Sequence, residues 1–358
     1  MKTKLSILLV LACLLQVYSC KKEQQPKVQP PVYQPTLNDG IVSFSINGQL
    51  LQSIVDTTTE EINAVVPLTY NKQKLTMNFT LTSQASATIN NQPVSSGDIV
   101  DLSKPVVLKL TSTDQKRTSS FKVIVQTDLE YFGLVGAITA QKSLNRNYNF
   151  YFDEFDNSPF ASINCGPAVC TMALKWADST FNKTTASART VIKPDGGWWD
   201  TGDISAYLSI NGISSTTDTL INIDSLVKTS IDNNNPVIFC LDMFYVPYNE
   251  IGYQHTSKFY MTSAPAWGHF LLVKGYKQIG NTFYLETYDP YSDGEHYTAI
   301  SNNFRGQDRY YIDADIKIAA SKWWAYAIVV GHKGQKFSNS TRLKVNSIHK
   351  PIPVGRGQ

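Results

Sequence analysis

The chain has 358 residues, 42% of them apolar and 11% aromatic, and its 32 basic and 29 acidic side chains leave a net charge of +3. So small an excess excludes a general affinity for nucleic acid, and the length allows two domains of ordinary size. Of the five cysteines, Cys165, Cys170 and Cys240 lie beyond the first 20 residues; they form neither an even disulfide framework nor a zinc-ligand spacing, and no cofactor is implied.

Residues 1–19 read as a targeting segment. Lys2 and Lys4 precede the apolar core Ser6–Leu15, which is too short to span a bilayer as a mature helix. The segment ends Val17-Tyr18-Ser19-Cys20 and resembles a bacterial lipoprotein signal. That resemblance implies lipidation of Cys20 and a place at the cell envelope, on the outer membrane's periplasmic side or at the cell surface, with the lipid as the sole membrane contact. Residues 20–37 are rich in Lys, Gln and Pro, bury no core, and read as a flexible tether.

Residues 38–127 change character. The segments Ile41–Ile46, Asn63–Val66, Leu75–Leu81, Ala87–Ile89, Val106–Ser112 and Ser120–Val125 read as short strands, separated by turn signals such as Asn47-Gly48 and Asn90-Asn91. This spacing predicts an all-β sandwich. The opening IVSFSINGQ and the closing FKVIVQ resemble immunoglobulin-like domains that begin many bacterial envelope lipoproteins, which implies a spacer or binding module.

Residues 128–340 mix helix and strand, and a basic tail, 341–358, follows. The aromatic run Tyr148–Phe155 is expected to pack along this second domain. Ser158–Phe181 then delivers Cys165 onto the first turn of a helix. Pro167 suits that turn, and Val169, Met172, Ala173 and Trp176 form an apolar face. A thiol at a helix N-terminus feels the positive end of the dipole, which favours the thiolate. Cys170 falls on another face; it and Cys240 read as small buried hydrophobes, or as a pair if the compartment is oxidising. Asp203–Leu208 and Ile223–Asp232 read as helices, and Pro236–Leu241, Phe270–Tyr276, Thr282–Tyr288 and Ala325–Val330 as strands, an α+β layout.

A cysteine nucleophile needs a base and a group that orients the base. His269, just before an apolar strand, is the best candidate among His255, His269, His296, His332 and His349. If Gln278 faces Asn281 across a hairpin, His269 falls beside Asp289 or Pro290, so Asp289 can hold the imidazole. His255 is the rival base, inside Met243–Ala266, which reads as a loop over a cleft. Gly196-Gly197-Trp198-Trp199 reads as a tight turn presenting aromatics to a cleft wall or to the core. His296 and Asp293 are too scattered to make a metal site.

The pieces NCGPAV, WGHFLLVKGY and ETYDPY, in that order, resemble the papain-like cysteine peptidases related to the double-glycine, bacteriocin-leader-processing enzymes, in their stand-alone branch. The resemblance implies Cys165 as nucleophile, His269 as base and Asp289 as its orienting partner, with a peptide or protein as substrate. That family places a glutamine before the cysteine to help bind the oxyanion, yet no glutamine occurs between Lys142 and Asn164. Asn157, Ser162 or Asn164, with the Cys165 N–H, would have to donate instead. The expectation is an α+β papain-like catalytic domain preceded by an all-β immunoglobulin-like sandwich, acting as an envelope-anchored cysteine peptidase. The alternatives are an inactive surface binder with the same cleft and a cell-wall amidase or transpeptidase.

Overall fold

The computed structural model describes residues 40–82, 85–156 and 160–337. The expected signal, Cys20, the tether, the basic tail, His349 and Asn157 lie outside the described residues. The first unit holds nine strands: β1 (Ile41–Ile46), β2 (Ile54–Asp56), β3 (Glu61–Val66), β4 (Leu75–Leu81), β5 (Ser86–Ile89), β6 (Gln92–Val94), β7 (Ile99–Val100), β8 (Val106–Thr111) and β9 (Thr118–Thr127). They form two sheets, β1-β4-β7 and β2-β3-β9-β8-β5-β6. The alternation of β4, with Leu75, Met77 and Phe79 buried and Thr76 and Asn78 half-buried, is the period-2 signal of a strand with one face to the core. Those side chains meet Ile62, Leu108 and Val123 of the other sheet in one apolar core. The short strands β2, β6 and β7 have too few residues to show any period, which is why the sequence does not announce them.

A one-turn helix, α1 (Asp128–Tyr131), follows β9, its N-terminus closed by a capping box between Thr127 and Glu130. The second unit continues with β10 (Ile138–Ser143), α2 (Cys165–Ala177), α3 (Thr185–Val191), α4 (Thr201–Ile210), β11 (Ser215–Thr219), α5 (Ile223–Asp232), β12 (Val237–Asp242), β13 (Gly268–Ile279), β14 (Thr282–Tyr288), β15 (Arg309–Ile312), α6 (Asp313–Lys322) and β16 (Tyr326–Val330). All pairings in this sheet are antiparallel, in the order β11-β16-β12-β13-β14-β15, with β10 added along β13. The twelve-residue β13 is long enough to pair with β12 along its first half and with β10 along its second.

Helix α2 packs against β13, α3 and α4. Apart from Lys175 and Ala177 it is buried on all sides, so the apolar face expected from periodicity is only part of what it buries. Trp176 fixes its far end: the indole is 1% exposed and donates Nε1–H to the Leu144 carbonyl at 2.9 Å. At its near end Gly166 lies against Trp199, where an added Cβ would sit 2.7 Å from the Trp199 Cβ. The Gly196–Trp199 turn therefore packs Trp199 into the core beneath the head of α2.

The hairpin β13–β14 differs from the expected register. Its loop is Gly280-Asn281, with Ile279 opposite Thr282 and Gln278 opposite Phe283. Gly280 takes φ +54°, which a glycine at the first loop position of a two-residue turn supplies without strain. A bulge between Val273 and Gly275 then shifts the pairing by one, so that Leu272 faces Tyr288.

Trp176→Ala removes a large buried side chain and a buried hydrogen bond, so the second unit should lose about 3–5 kcal/mol. Urea unfolding followed by tryptophan fluorescence measures this; a loss below about 1 kcal/mol would mean that α2 is not anchored there.

Candidate active site

Cys165 occupies the first position of α2 and is 2% exposed. The helix opens without a side-chain cap. The first N–H groups of a helix have no intrahelical partner and form the positive end of its dipole, so the thiol sits where negative charge is favoured. Asn164, at the cap position, is used differently: its Oδ1 accepts from Arg189 Nε at 2.9 Å. The buried Arg189 also donates to the carbonyls of Ile163 (2.9 Å) and Gly197 (2.6 Å), tying α3 to the loop that carries the cysteine. Burial pushes the guanidinium pKa down, and the charge of Cys165 acts against that. The coupling is mutual, so Arg189 favours a thiolate at Cys165.

His269 stands second in β13, opposite Leu241 of β12, and is fully buried. The corner before it is held by Asp242, whose carboxylate accepts from the N–H groups of Ala266 (2.8 Å) and Trp267 (3.0 Å). His269 Nε2 is 2.8 Å from Asp289 Oδ1. The expected neighbours thus meet, but not as directly opposed strand residues. β14 ends at Tyr288, and the shifted register makes Asp289 a diagonal neighbour, within reach of a side chain from the same face.

Asp289 has its acceptor capacity well used. Oδ1 also accepts from Tyr291 N–H (2.9 Å), and Oδ2 accepts from the hydroxyls of Tyr311 (2.6 Å) and Tyr260 (3.1 Å). Its main chain is gripped as well, by Tyr151 OH on the carbonyl at 2.9 Å and by the Gly306 carbonyl on the N–H at 2.8 Å. Burial alone would push this carboxyl up; the His269 charge and the hydrogen bonds from His269, Tyr311 and Tyr291 outweigh burial and hold its pKa below the usual range. An ionised carboxylate only accepts, so Nε2 bears the imidazole proton and Nδ1 is the nitrogen left for the thiol.

The structure adds a residue that sequence reasoning missed. A carboxylate oxygen of Glu154, the Cys165 sulfur and a His269 ring nitrogen lie within 4.8 Å of one another, all on buried residues. Glu154 N–H donates to the Pro290 carbonyl at 2.8 Å, which fixes its main chain beside Asp289. Its only trace in the sequence is an acid inside the aromatic run Tyr148–Phe155, which packs along the domain as expected through Phe150 and Tyr151. Among the described residues this trio is the His/Cys/carboxylate group compact enough to enclose a cation. A cation-bound thiolate is no nucleophile, so the two uses exclude each other.

The other nominated residues go elsewhere. His255 is stacked between Phe132 and Tyr297, with ring centroids 3.9 and 3.7 Å away, and its Nδ1 donates to the Asp308 carbonyl. It is a core histidine, not a rival base. The Met243–Ala266 stretch is a packed wall: Arg309 donates to the carbonyls of Thr256 and Ser257, and Tyr260 reaches Asp289. His296 and His332 are exposed, and Ser162 is too. Cys170 and Cys240 are buried and not joined in a disulfide, and burial pushes the Cys170 thiol well up.

Residues 151–315 match the model of a family described as Peptidase_C39 like, and residues 41–125 match one described as SGBP, N-terminal. No curated protein matches the chain. Among solved structures, a protein described as a C39-like peptidase from Bacillus anthracis is 15% identical, over 53% of this chain and 96% of its own, with a TM-score of 0.33. One described as a glycoside hydrolase from Bacteroides thetaiotaomicron is 12% identical over 83% and 89%, with a TM-score of 0.22. A secreted protein of Bacteroides fragilis is 13% identical over 21% and 69%, with a TM-score of 0.19. Scores this low carry no argument. The residues that match the Peptidase_C39 like model lie in the α+β region, behind the all-β region.

Burial holds His255 neutral down to about pH 3, whereas the unfolded chain protonates it near 6.5. Between these values the unfolded state binds the extra proton, so folding stability falls as pH falls, by up to about 1.4 kcal/mol per pH unit. Denaturation at several pH values should show a shallower acid-side slope for His255→Phe than for the parent; equal slopes would mean that His255 is protonated in the fold. Alkylation of Cys165 should be unchanged by a strong chelator, and a rise in its rate on chelation would mean that a cation occupies the trio.

Proposed function

We propose that this protein is a cell-envelope cysteine peptidase in which Cys165 is the nucleophile, His269 the general base and acid, and Asp289 the residue that orients His269. The observation that carries the reading is the buried His269–Asp289 hydrogen bond with the Cys165 sulfur in reach of the same imidazole. The match of residues 151–315 to a peptidase family supports it.

The chemistry follows from the groups. His269 Nδ1 takes the thiol proton, and the sulfur adds to the peptide carbonyl carbon as the carbonyl π pair moves onto oxygen. When the tetrahedral species collapses, the C–N bond breaks and the imidazolium gives its proton to the leaving amine, leaving a thioester on Cys165. Water, deprotonated by His269, adds to the thioester; the C–S bond breaks and releases a carboxylic acid. Asp289, ionised and held by tyrosines, keeps Nε2 protonated and stabilises the imidazolium without taking its proton. The lipid on Cys20 would hold the protein at the membrane, and the N-terminal β region would act as an immunoglobulin-like spacer or binding module.

One observation favours a second reading, a binder that keeps the cleft without turnover. A carboxylate oxygen of Glu154 lies within 4.8 Å of the sulfur, and a carboxylate that close, when ionised, opposes the thiolate that catalysis needs.

Cys165 should react with a thiol-directed electrophile at mildly acidic pH faster than Cys170 or Cys240, and His269→Ala should slow that labelling. Peptide-library turnover should vanish in Cys165→Ser and drop roughly 10²–10⁴-fold in Asp289→Asn. Equal labelling of the three thiols, or turnover that survives Cys165→Ser, would sink the peptidase assignment.

A further inference from the structure

We infer that Lys258 is a positioning residue for His269 and Asp289: its buried ammonium staples the long connection between β12 and β13, a reading that rests on the peptidase assignment above. Lys258 is 3% exposed, yet its ammonium is given to a carbonyl and a hydroxyl rather than to a carboxylate. Nζ donates to the Met243 carbonyl and to Thr262 Oγ1. Met243 opens the connection and Trp267 closes it, and Met243 N–H donates to the Trp267 carbonyl at 2.9 Å. Met243 is thus held on both sides, its N–H by the residue two before His269 and its carbonyl by Lys258. The main chain of Lys258 is laced into the same wall: its N–H donates to the Pro247 carbonyl at 3.3 Å, and its carbonyl accepts from Asn249 N–H at 2.8 Å. Two residues on, the Tyr260 hydroxyl donates to Asp289 Oδ2 at 3.1 Å. One cation therefore ties the corner that presents His269 to the segment that grips Asp289.

A buried ammonium is destabilising, and an apolar side chain of the same length would fill the space without that penalty. Burial pulls the Lys258 pKa down to about 8, and the Asp242 charge opposes only part of that fall. The titratable and charged groups about it are Asp242 at the end of β12, Tyr248 alongside it in a bridge, Tyr260, Tyr245 with Lys322 of α6 over its ring, and Arg305 and Arg309, which stack on the next residue, Phe259. What the charge supplies is a strong donor, since an ionised donor binds roughly twice as strongly as a neutral one. As pH rises through about 8 the ammonium becomes an amine and the staple slackens. Stability moves the other way. The unfolded chain keeps this proton up to its ordinary value of 10.5, so above about 8 the unfolded state binds more protons and stability rises with pH. Placement and stability thus change in opposite directions, which a side chain that only packs does not produce.

The test compares the full-length protein with Lys258→Met between pH 6 and pH 9. The Met243 carbonyl keeps the Val246 N–H at 3.2 Å, and Thr262 is half-buried and open to water, so the variant orphans neither acceptor. Its urea midpoint at pH 7 should equal or exceed the parent's. On a peptide substrate its kcat should be roughly 10–10²-fold lower at pH 6, with KM changed less than about twofold, and the parent-to-variant ratio of kcat should shrink above pH 8. Without any substrate, backbone amides of residues 243–267 should exchange hydrogen about tenfold faster in the variant at pH 6, and the two proteins should converge at pH 9. A lower urea midpoint in the variant overturns the inference, as does an unchanged kcat, a kcat ratio flat across this range, or equal exchange at pH 6. If neither protein cuts any peptide while the exchange difference still closes with pH, the peptidase assignment falls and Lys258 stands as the staple of the connection.

Discussion

The second domain is organised around one buried carboxylate. Asp289 accepts from an imidazole, a backbone amide and two tyrosine hydroxyls, while its own amide and carbonyl are bound by Gly306 and Tyr151. An unpaired anion at that depth would cost several kcal/mol. Satisfied to this degree, it instead becomes a fixed point on which four separate segments converge: the Tyr148–Phe155 run, the Met243–Ala266 wall, the end of β14 and the start of β15. Gly306 shows how tight the convergence is, since a Cβ there would sit 1.9 Å from the Asp289 carbonyl.

From that point the rest of the site follows. A carboxylate that can only accept imposes a tautomer on His269 and leaves its other nitrogen for Cys165. The thiol arrives from the opposite direction, on a helix buried against β13, and Arg189 locks the loop in front of it. The sulfur thus has a helix N-terminus, a guanidinium and an imidazole that favour its negative form, and one carboxyl group, Glu154, that opposes it.

Much of this was legible along the chain. β1, β4, β14 and α5 appear at the boundaries their patterns predict, because each has enough residues to display a period. Cys165 on a first helical turn and His269 before an apolar strand are local facts, readable from Gly166-Pro167 and from Phe270–Val273. The pairing of His269 with Asp289 was foreseen for a partly mistaken reason. The turn is Gly280-Asn281, and a bulge at Val273–Gly275 moves the register, yet sheet geometry tolerates the error because a diagonal neighbour on the same face is also within reach.

What sequence by itself determined was therefore whatever depends on near neighbours: the helix that presents the thiol, the strand that presents the imidazole, the hairpin that returns an aspartate close to it, and the α+β and all-β character of the two regions. Only the tertiary structure decided which polar side chains surround the sulfur. Glu154 and Cys165 meet because the Tyr148–Phe155 run folds back onto the end of β14, and Arg189 reaches Asn164 across 25 residues of chain. Asn164 turns its side-chain oxygen to Arg189, and Ser162 is exposed, two placements that their positions in the chain do not reveal. Such contacts carry no periodicity and no fixed spacing. They are set by how buried segments pack against one another, and that is where the chemistry of this cysteine is tuned.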